Sequence, residues 1–191
     1  MLMPIDAGLV LIHAFPVDSS QWGPQVMAFR HDLPVLAPDM PGFGGTMDAG
    51  EVMTMEAAAD YVAYQMNYAE MGKAVVVGLS MGGYLAVLLG ARHPNRALSI
   101  TAAGVGSGSE RAHIDEFRKN ANETADLFEK EGSAAVAKIY GMNAPRIPFL
   151  VKDPRGYQEF FDQFASHDPK GSANTPRGYQ ASRPSITTSQ P

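Results

Sequence analysis

Cysteine is absent from the 191 residues, so no disulfide framework, thiolate metal site or cysteine nucleophile can be built from this chain. Basic charge is also scarce. Lys and Arg number 15 against 20 for Asp and Glu, a formal net charge of -5, which leaves no electrostatic footprint for a phosphate backbone, and nucleic acid is not an expected partner. No Lys or Arg precedes Arg30, so the basic start of a secretory signal is missing and a cytoplasmic protein is expected. Long apolar runs are lacking with one exception, the uncharged stretch 74–91 between Lys73 and Arg92. It changes character halfway, from Val75, Val76 and Val77, through Gly78, Ser80, Gly82 and Gly83, to Leu85, Ala86, Leu88 and Leu89. That order predicts a buried strand, a tight turn and a buried helix rather than a membrane span, and no membrane partner is expected.

What is present has the balance of a globular protein, 45% hydrophobic and 18% charged. Short apolar strands are predicted at 9–12, 35–37, 74–79 and 97–102. Between them lie a short helix capped by Ser19 or Ser20, with Trp22, Val26 and Met27 facing inward, and a helix opened by Thr54. Ala58, Val62, Met66 and Ala69 recur on that second helix at helical spacing, and Gly72 is expected to stop it. Strands buried on both faces and alternating with helices imply a parallel sheet, so residues 1–104 read as an α/β core with a central parallel sheet flanked by helices.

From 105 to 183 the pattern becomes helical. A charged amphipathic helix is predicted over 110–130, with Ile114, Phe117, Ala121, Ala125 and Phe128 on its apolar side, followed by pieces at 134–140, 156–165 and 173–181. Phe117, Phe128, Ile139, Phe160 and Phe164 are expected to divide between packing this lobe and lining a cleft, with one or two reaching the cleft. The tail, 184–191, reads as flexible.

The segment Gly78-Leu79-Ser80-Met81-Gly82 has the form G-x-S-x-G between a β-branched strand and an apolar helix. A serine on so sharp a turn needs small residues two before and two after it, because side chains there collide across the turn. The following helix aims its N-terminal amides at charge developing near the serine. His13-Ala14-Phe15-Pro16, after the first strand, places the Phe15 amide to join that of Met81 as an oxyanion hole. Pro38-Asp39-Met40-Pro41-Gly42-Phe43-Gly44 reads as a rigid turn in which Asp39 stabilises the loop rather than acting as a catalytic acid.

Together these segments resemble the α/β-hydrolase superfamily, in its cap-bearing esterase, lactonase and haloperoxidase-like branch, whose members carry H-G-F-P, D-x-P-G-x-G and G-x-S-M-G-G motifs. The resemblance implies that Ser80 is the catalytic nucleophile, that the Phe15 and Met81 amides form the oxyanion hole, and that 105–183 is a helical cap. Ala14 replaces the family's usual glycine, so its methyl is expected to crowd the acyl pocket or tilt the Phe15 amide. Family members return from the cap to further strands that carry the triad acid and histidine. At roughly 30 residues per strand-and-helix unit, about 60 residues of that fold are missing here, so the core is expected to be incomplete.

Of the five histidines, His13 is expected to brace its loop, His31 and His93 to be solvated at helix ends, and His113 and His167 to lie in the cap, where either is a candidate base. Three functions compete: a serine esterase on small-molecule esters whose base comes from the cap or a second subunit; a truncated, weakly active or inactive hydrolase-like binding protein; and a cofactor-free haloperoxidase or lyase on the same scaffold. No cofactor or metal is needed for any of them. The sheet edges, lacking their usual neighbours, imply a homo-oligomer formed through the fourth strand.

Overall fold

The computed structural model describes residues 7–46, 52–106 and 110–183. Four strands, β1 (Ala7–Ile12), β2 (Val35–Leu36), β3 (Lys73–Leu79) and β4 (Ala97–Ala103), form one parallel sheet in the order β2-β1-β3-β4. This is the α/β architecture the alternation predicts; the second and fourth strands lie at the edges, as the family resemblance implies. Between β1 and β2 lie a 3-10 turn (Ser19–Trp22) and α1 (Gly23–Phe29); α2 (Met55–Tyr68) precedes β3, and α3 (Met81–Arg92) follows it. The uncharged stretch 74–91 is thus strand, turn and helix. No helix among the described residues is long and apolar enough to cross a membrane.

One face of the sheet is sealed. Val10, Ile12, Ala74 and Val76 meet Ala58, Val62 and Met66 of α2 and Leu85 and Leu89 of α3, all with no exposed surface. Thr54 caps α2 by accepting the Ala57 amide (3.2 Å). The helix ends differently from the expectation: Glu70, not Gly72, adopts the left-handed conformation (φ 53°), and Ala69 is exposed. The other face is only partly covered. Trp22, Phe29 and Leu33 stand over Leu9, Leu11, Val75 and Val77 around an apolar cavity of about 350 Å³.

Two expectations about the first helix fail there. Asp18, rather than Ser19 or Ser20, caps the turn by accepting the Ser20 amide (2.9 Å). Met27 is 57% exposed, because the short α1 and the turn before it face the sheet through Phe29 and Trp22 instead.

Beyond β4 the described chain is helical: α4 (Ile114–Glu131), α5 (Ser133–Gly141), α6 (Ile147–Lys152), α7 (Pro154–Ser166) and α8 (Pro169–Thr175), the last running into a π-helical turn (Pro176–Gln180). Ala125, Phe128, Val136, Ala137, Phe164 and Ala173 form the buried centre of this lobe. The short α6 is not foreseen from the sequence; its Ile147 and Pro148 obscure a helical start that Pro in the first turn in fact permits. Ile139 is 56% exposed and serves neither lobe packing nor a cleft, because α5 turns Val136 and Ala137 inward instead. The tail 184–191 and part of the loop after β4 lie outside the described residues.

Candidate active site

Ser80 ends β3 and begins α3. Its backbone is left-handed (φ 53°, ψ -112°), which for a residue with a Cβ is a strained conformation that its surroundings must hold in place. They do so by hydrogen bonds: the Ser80 amide donates to the Ala103 carbonyl (2.8 Å), and its carbonyl accepts the amides of Gly83 (3.0 Å) and Tyr84 (3.2 Å). The flanking glycines are sterically required. A Cβ on Gly78 would collide with the Gly82 carbonyl, and one on Gly82 with the carbonyl of Ile12 on the neighbouring strand. The serine is left exposed at the carboxyl end of the sheet.

Phe15 and Met81 line the same cavity as Ser80. Met81 is the first residue of α3, where a helix leaves its amides without intrahelical acceptors, and among the described residues neither the Met81 nor the Phe15 amide donates to a protein acceptor. The loop carrying Phe15 is fixed from several sides. His13 is fully buried and bridges the Ala14 carbonyl and the Met40 amide (2.9 and 3.0 Å), and burial pushes its imidazole below the ordinary value. The Ala14 amide donates to Gln21 Oε1 (3.0 Å), and the Ala14 methyl does not line the cavity, so the expected crowding is not realised. Asp39 accepts the amides of Ser19 (2.9 Å) and Gly45 (2.8 Å), the loop-stabilising part read from its turn.

The helical lobe supplies the other side of the cavity, whose volume is about 290 Å³. Asn120 and Thr124 from α4, Asn143 after α5 and Gln180 from the π-helical turn give it a polar wall, whereas Met55 and Pro176 are apolar. Of the five aromatic and aliphatic lobe residues considered from sequence, Phe117 alone lines it. Arg183 joins the lining from the end of the lobe; no local sequence pattern marks it, Asn120 or Gln180, because they converge only through tertiary packing.

No histidine lines this cavity among the described residues. His113 stands exposed before α4, 3.7 Å from Glu110. His167 is buried between α7 and α8, where its Nε2 lies 3.7 Å from Asp18 Oδ2 and its ring meets Phe43 edge-on. The His167 ring beside Asp18 holds that carboxyl well below the usual carboxylate range, against the opposing effect of burial. His93 pairs with Asp60 (2.7 Å), away from the site, and His31 is exposed beside Arg30. Among the described residues no group of three or more His, Asp or Glu side chains is arranged to hold a metal ion.

A left-handed serine at a strand-to-helix turn, inside a parallel sheet with a helical lobe above it, defines the alpha/beta hydrolase fold. The profile of that family matches residues 9–191, and the chain belongs to it. Among curated relatives, an AB hydrolase superfamily protein of Gibberella zeae is 32% identical over 102 residues, which are 53% of this chain and 36% of that protein. A pimeloyl-[acyl-carrier protein] methyl ester esterase of Neisseria meningitidis is 36% identical over 95 residues, 49% of this chain and 35% of the esterase. A thermophilic esterase from Thermogutta terrifontis superposes with a TM-score of 0.78 at 28% identity, covering 95% of this chain and 66% of that one. An enol-lactonase from Burkholderia xenovorans gives 0.75 at 25% identity, covering 96% and 68%. The matched region thus spans about a third of these curated relatives and two thirds of these solved structures.

Proposed function

We propose that the protein hydrolyses carboxylic esters through an acyl-enzyme on Ser80, with helices α4–α8 acting as a cap over the ester. The observation that carries this reading is that a strained, exposed serine lines one cavity with Phe15 and Met81, two residues whose amides have no protein acceptor among the described residues. Attack of Ser80 Oγ on the acyl carbon puts negative charge on the carbonyl oxygen, where two amide donors and the N-terminal dipole of α3 stabilise it. Collapse breaks the ester C–O bond and expels the alcohol, which carries away the proton given up by Ser80, leaving the acyl group on Ser80; water then adds its hydroxyl to the acyl carbon, releasing the acid and returning a proton to Ser80. The esterases and the enol-lactonase among the relatives act on the same class of bond, which supports the reading. A fluorophosphonate probe followed by peptide mass spectrometry tests it: phosphonylation at Ser80, lost in Ser80→Ala, is the expected result, and unlabelled protein overturns the assignment.

Among the described residues no histidine lines this cavity, which favours a second reading, a hydrolase-like binding protein with feeble turnover. Serine enzymes deprived of triad members retain only about 10³–10⁴ over water from the oxyanion hole and binding. Burst kinetics separate the two readings. One equivalent of alcohol released quickly, followed by slow turnover, means acylation without an efficient base for deacylation; steady turnover means that a base has been recruited.

A further inference from the structure

Phe117, Asn120, Ala121 and Thr124 fall at i, i+3, i+4 and i+7 of α4, one face of the helix, and that face lines the cavity that holds Ser80. A helix face turned towards the interior is normally apolar. Here half of it is polar, from Asn and Thr, residues of modest helix propensity. Asn143, after α5, and Gln180, in the π-helical turn, extend the polar wall. Apart from Arg183, stacked on Phe117 and Tyr84, the polar side chains of this wall are neutral. Among the described residues no protein group hydrogen-bonds to the carboxamides of Asn120, Asn143 or Gln180. Thr124 donates its hydroxyl to the Asn120 carbonyl (2.8 Å), which leaves its oxygen to accept. Each carboxamide sets a donating NH2 beside an accepting oxygen, a pattern that matches a hydroxyl, at once donor and acceptor, and above all a vicinal pair of hydroxyls.

Met55 and Met81 are buried, whereas Asn120 and Asn143 are exposed, so the cavity is apolar where it is closed and polar where it opens. In acyl transfer the acid stays on the serine while the alcohol departs first. The closed apolar end therefore suits the acyl group and the open polar side the alcohol. We propose that Asn120, Asn143 and Gln180 select the alcohol of the ester, and that the preferred alcohol is a small polyol of about glycerol's size, joined to a short apolar acid. This proposal rests on the reading of Ser80 as the acylated residue: a bond forms from Ser80 Oγ to the acyl carbon, the ester C–O bond breaks, and the polyol leaves with the proton given up by Ser80. At about 290 Å³ the cavity falls near the lower end of the roughly 300–1,000 Å³ typical of small-molecule sites, which suits both short components. An alcohol without hydroxyls leaves the carboxamides without partners, and this is what sets the two kinds of ester apart.

The test compares 2,3-dihydroxypropyl butyrate with propyl butyrate, which share the acid and the carbon chain of the alcohol and differ only in the added hydroxyls. Both give the same butyryl-Ser80, so deacylation is common to them and kcat/KM reads acylation. Dividing each value by the ester's rate of alkaline hydrolysis removes the difference in leaving ability. The normalised ratio should be at least about fivefold in favour of the dihydroxypropyl ester, as two modest hydrogen bonds imply. In the double variant Asn120→Leu/Gln180→Met, which keeps side-chain size and removes the polar groups, the ratio should fall to one or below. Because each ratio is taken within one variant, a general loss of activity does not enter it. A wild-type ratio near one, or a ratio unchanged in the double variant, overturns the proposal. Where neither ester is turned over, binding decides. Titrated by NMR into Ser80→Ala, the dihydroxypropyl ester should bind at least about fivefold more tightly than propyl butyrate and shift the side-chain amide signals of Asn120, Asn143 and Gln180. That result without turnover overturns the hydrolase reading and leaves polyol recognition standing; equal affinities overturn the recognition as well.

Discussion

The Met40 amide donates to Nε2 of His13 at 3.0 Å, a bond between the loop after β1 and the loop after β2 with no solvent access. Because Nε2 must accept, the ring proton sits on Nδ1 and is donated to the Ala14 carbonyl at 2.9 Å. Both nitrogens are committed, so this histidine supports the loop of Phe15 and is no proton acceptor for Ser80. Its burial also makes folding sensitive to pH. With the folded imidazole held below its ordinary value of 6.5, the stability it contributes is full above that value. It is lost as pH falls from there through the folded pKa, because the unfolded chain takes up a proton that the native ring refuses. Urea unfolding between pH 7.5 and 5 should show ΔG falling, with a limiting slope near 1.4 kcal/mol per pH unit from this group. In His13→Gln, less stable overall, that part of the slope should vanish.

Gly78→Ala and Gly82→Ala should each disturb the turn that presents Ser80. The added methyl meets a backbone carbonyl in both cases, which cannot rotate away as a side chain can. Destabilisation of about 1–3 kcal/mol is expected for forced overpacking. Thermal unfolding checks it, and fluorophosphonate labelling of the variants at a temperature where they remain folded should be slowed further than the loss of stability alone explains.

Asp18 serves two structures at once, capping the turn before α1 and facing His167 of the lobe at 3.7 Å. Its carboxyl is held below the usual range, so the stability it supplies is present above the unfolded carboxylate value and is lost as pH falls through the folded one, a more acidic window than that of His13. Asp18→Asn keeps a capping oxygen but removes the charge. A double-mutant cycle with His167→Phe should give a coupling of about 1 kcal/mol, measured by denaturant unfolding at pH 6; additivity would mean that the pair contributes only packing.

β4 is the open side of the sheet: its residues 98–101 are exposed, with Leu98 at 42% and Ile100 at 39%. An apolar parallel strand with unpaired amides and carbonyls favours pairing with another chain. A homo-oligomer formed through this edge is therefore expected, and Ile100→Lys should shift it towards monomer in light scattering. A wild-type protein that stays monomeric at high concentration overturns the expectation.

The strand, turn and helix around Ser80 are legible in the sequence because each is written in consecutive residues: β-branched valines, glycines at fixed offsets, then helix formers. The parallel sheet follows from alternation, whereas the order of its four strands is what the family resemblance implies. Asp18 is missed as a cap because three adjacent residues, Asp18, Ser19 and Ser20, all have capping chemistry, and only backbone geometry chooses among them. Its partnership with His167 spans most of the chain and leaves no local trace. Helical spacing places Met27 and Ile139 inside, yet a short helix can turn only some of its apolar residues towards the core. Arg183 falls into the same class as Asp18, since charge and position mean little until Phe117 and Tyr84 are seen beside it.

Phe15 makes edge-on contacts with Phe43 of the core and with Phe128, Tyr140 and Phe164 of the helical lobe, at centroid separations of 6.0 to 6.4 Å. The residue proposed to supply one of the two oxyanion amides is therefore held by aromatic rings from both halves of the molecule. Recombination is where this matters. A lobe exchanged for that of a relative would alter the seat of the Phe15 ring, and with it the aim of the backbone behind the ring. Chimeras made to change substrate range should then differ in turnover on one common substrate, and restoring the rings around Phe15 should recover the rate without restoring the original preference.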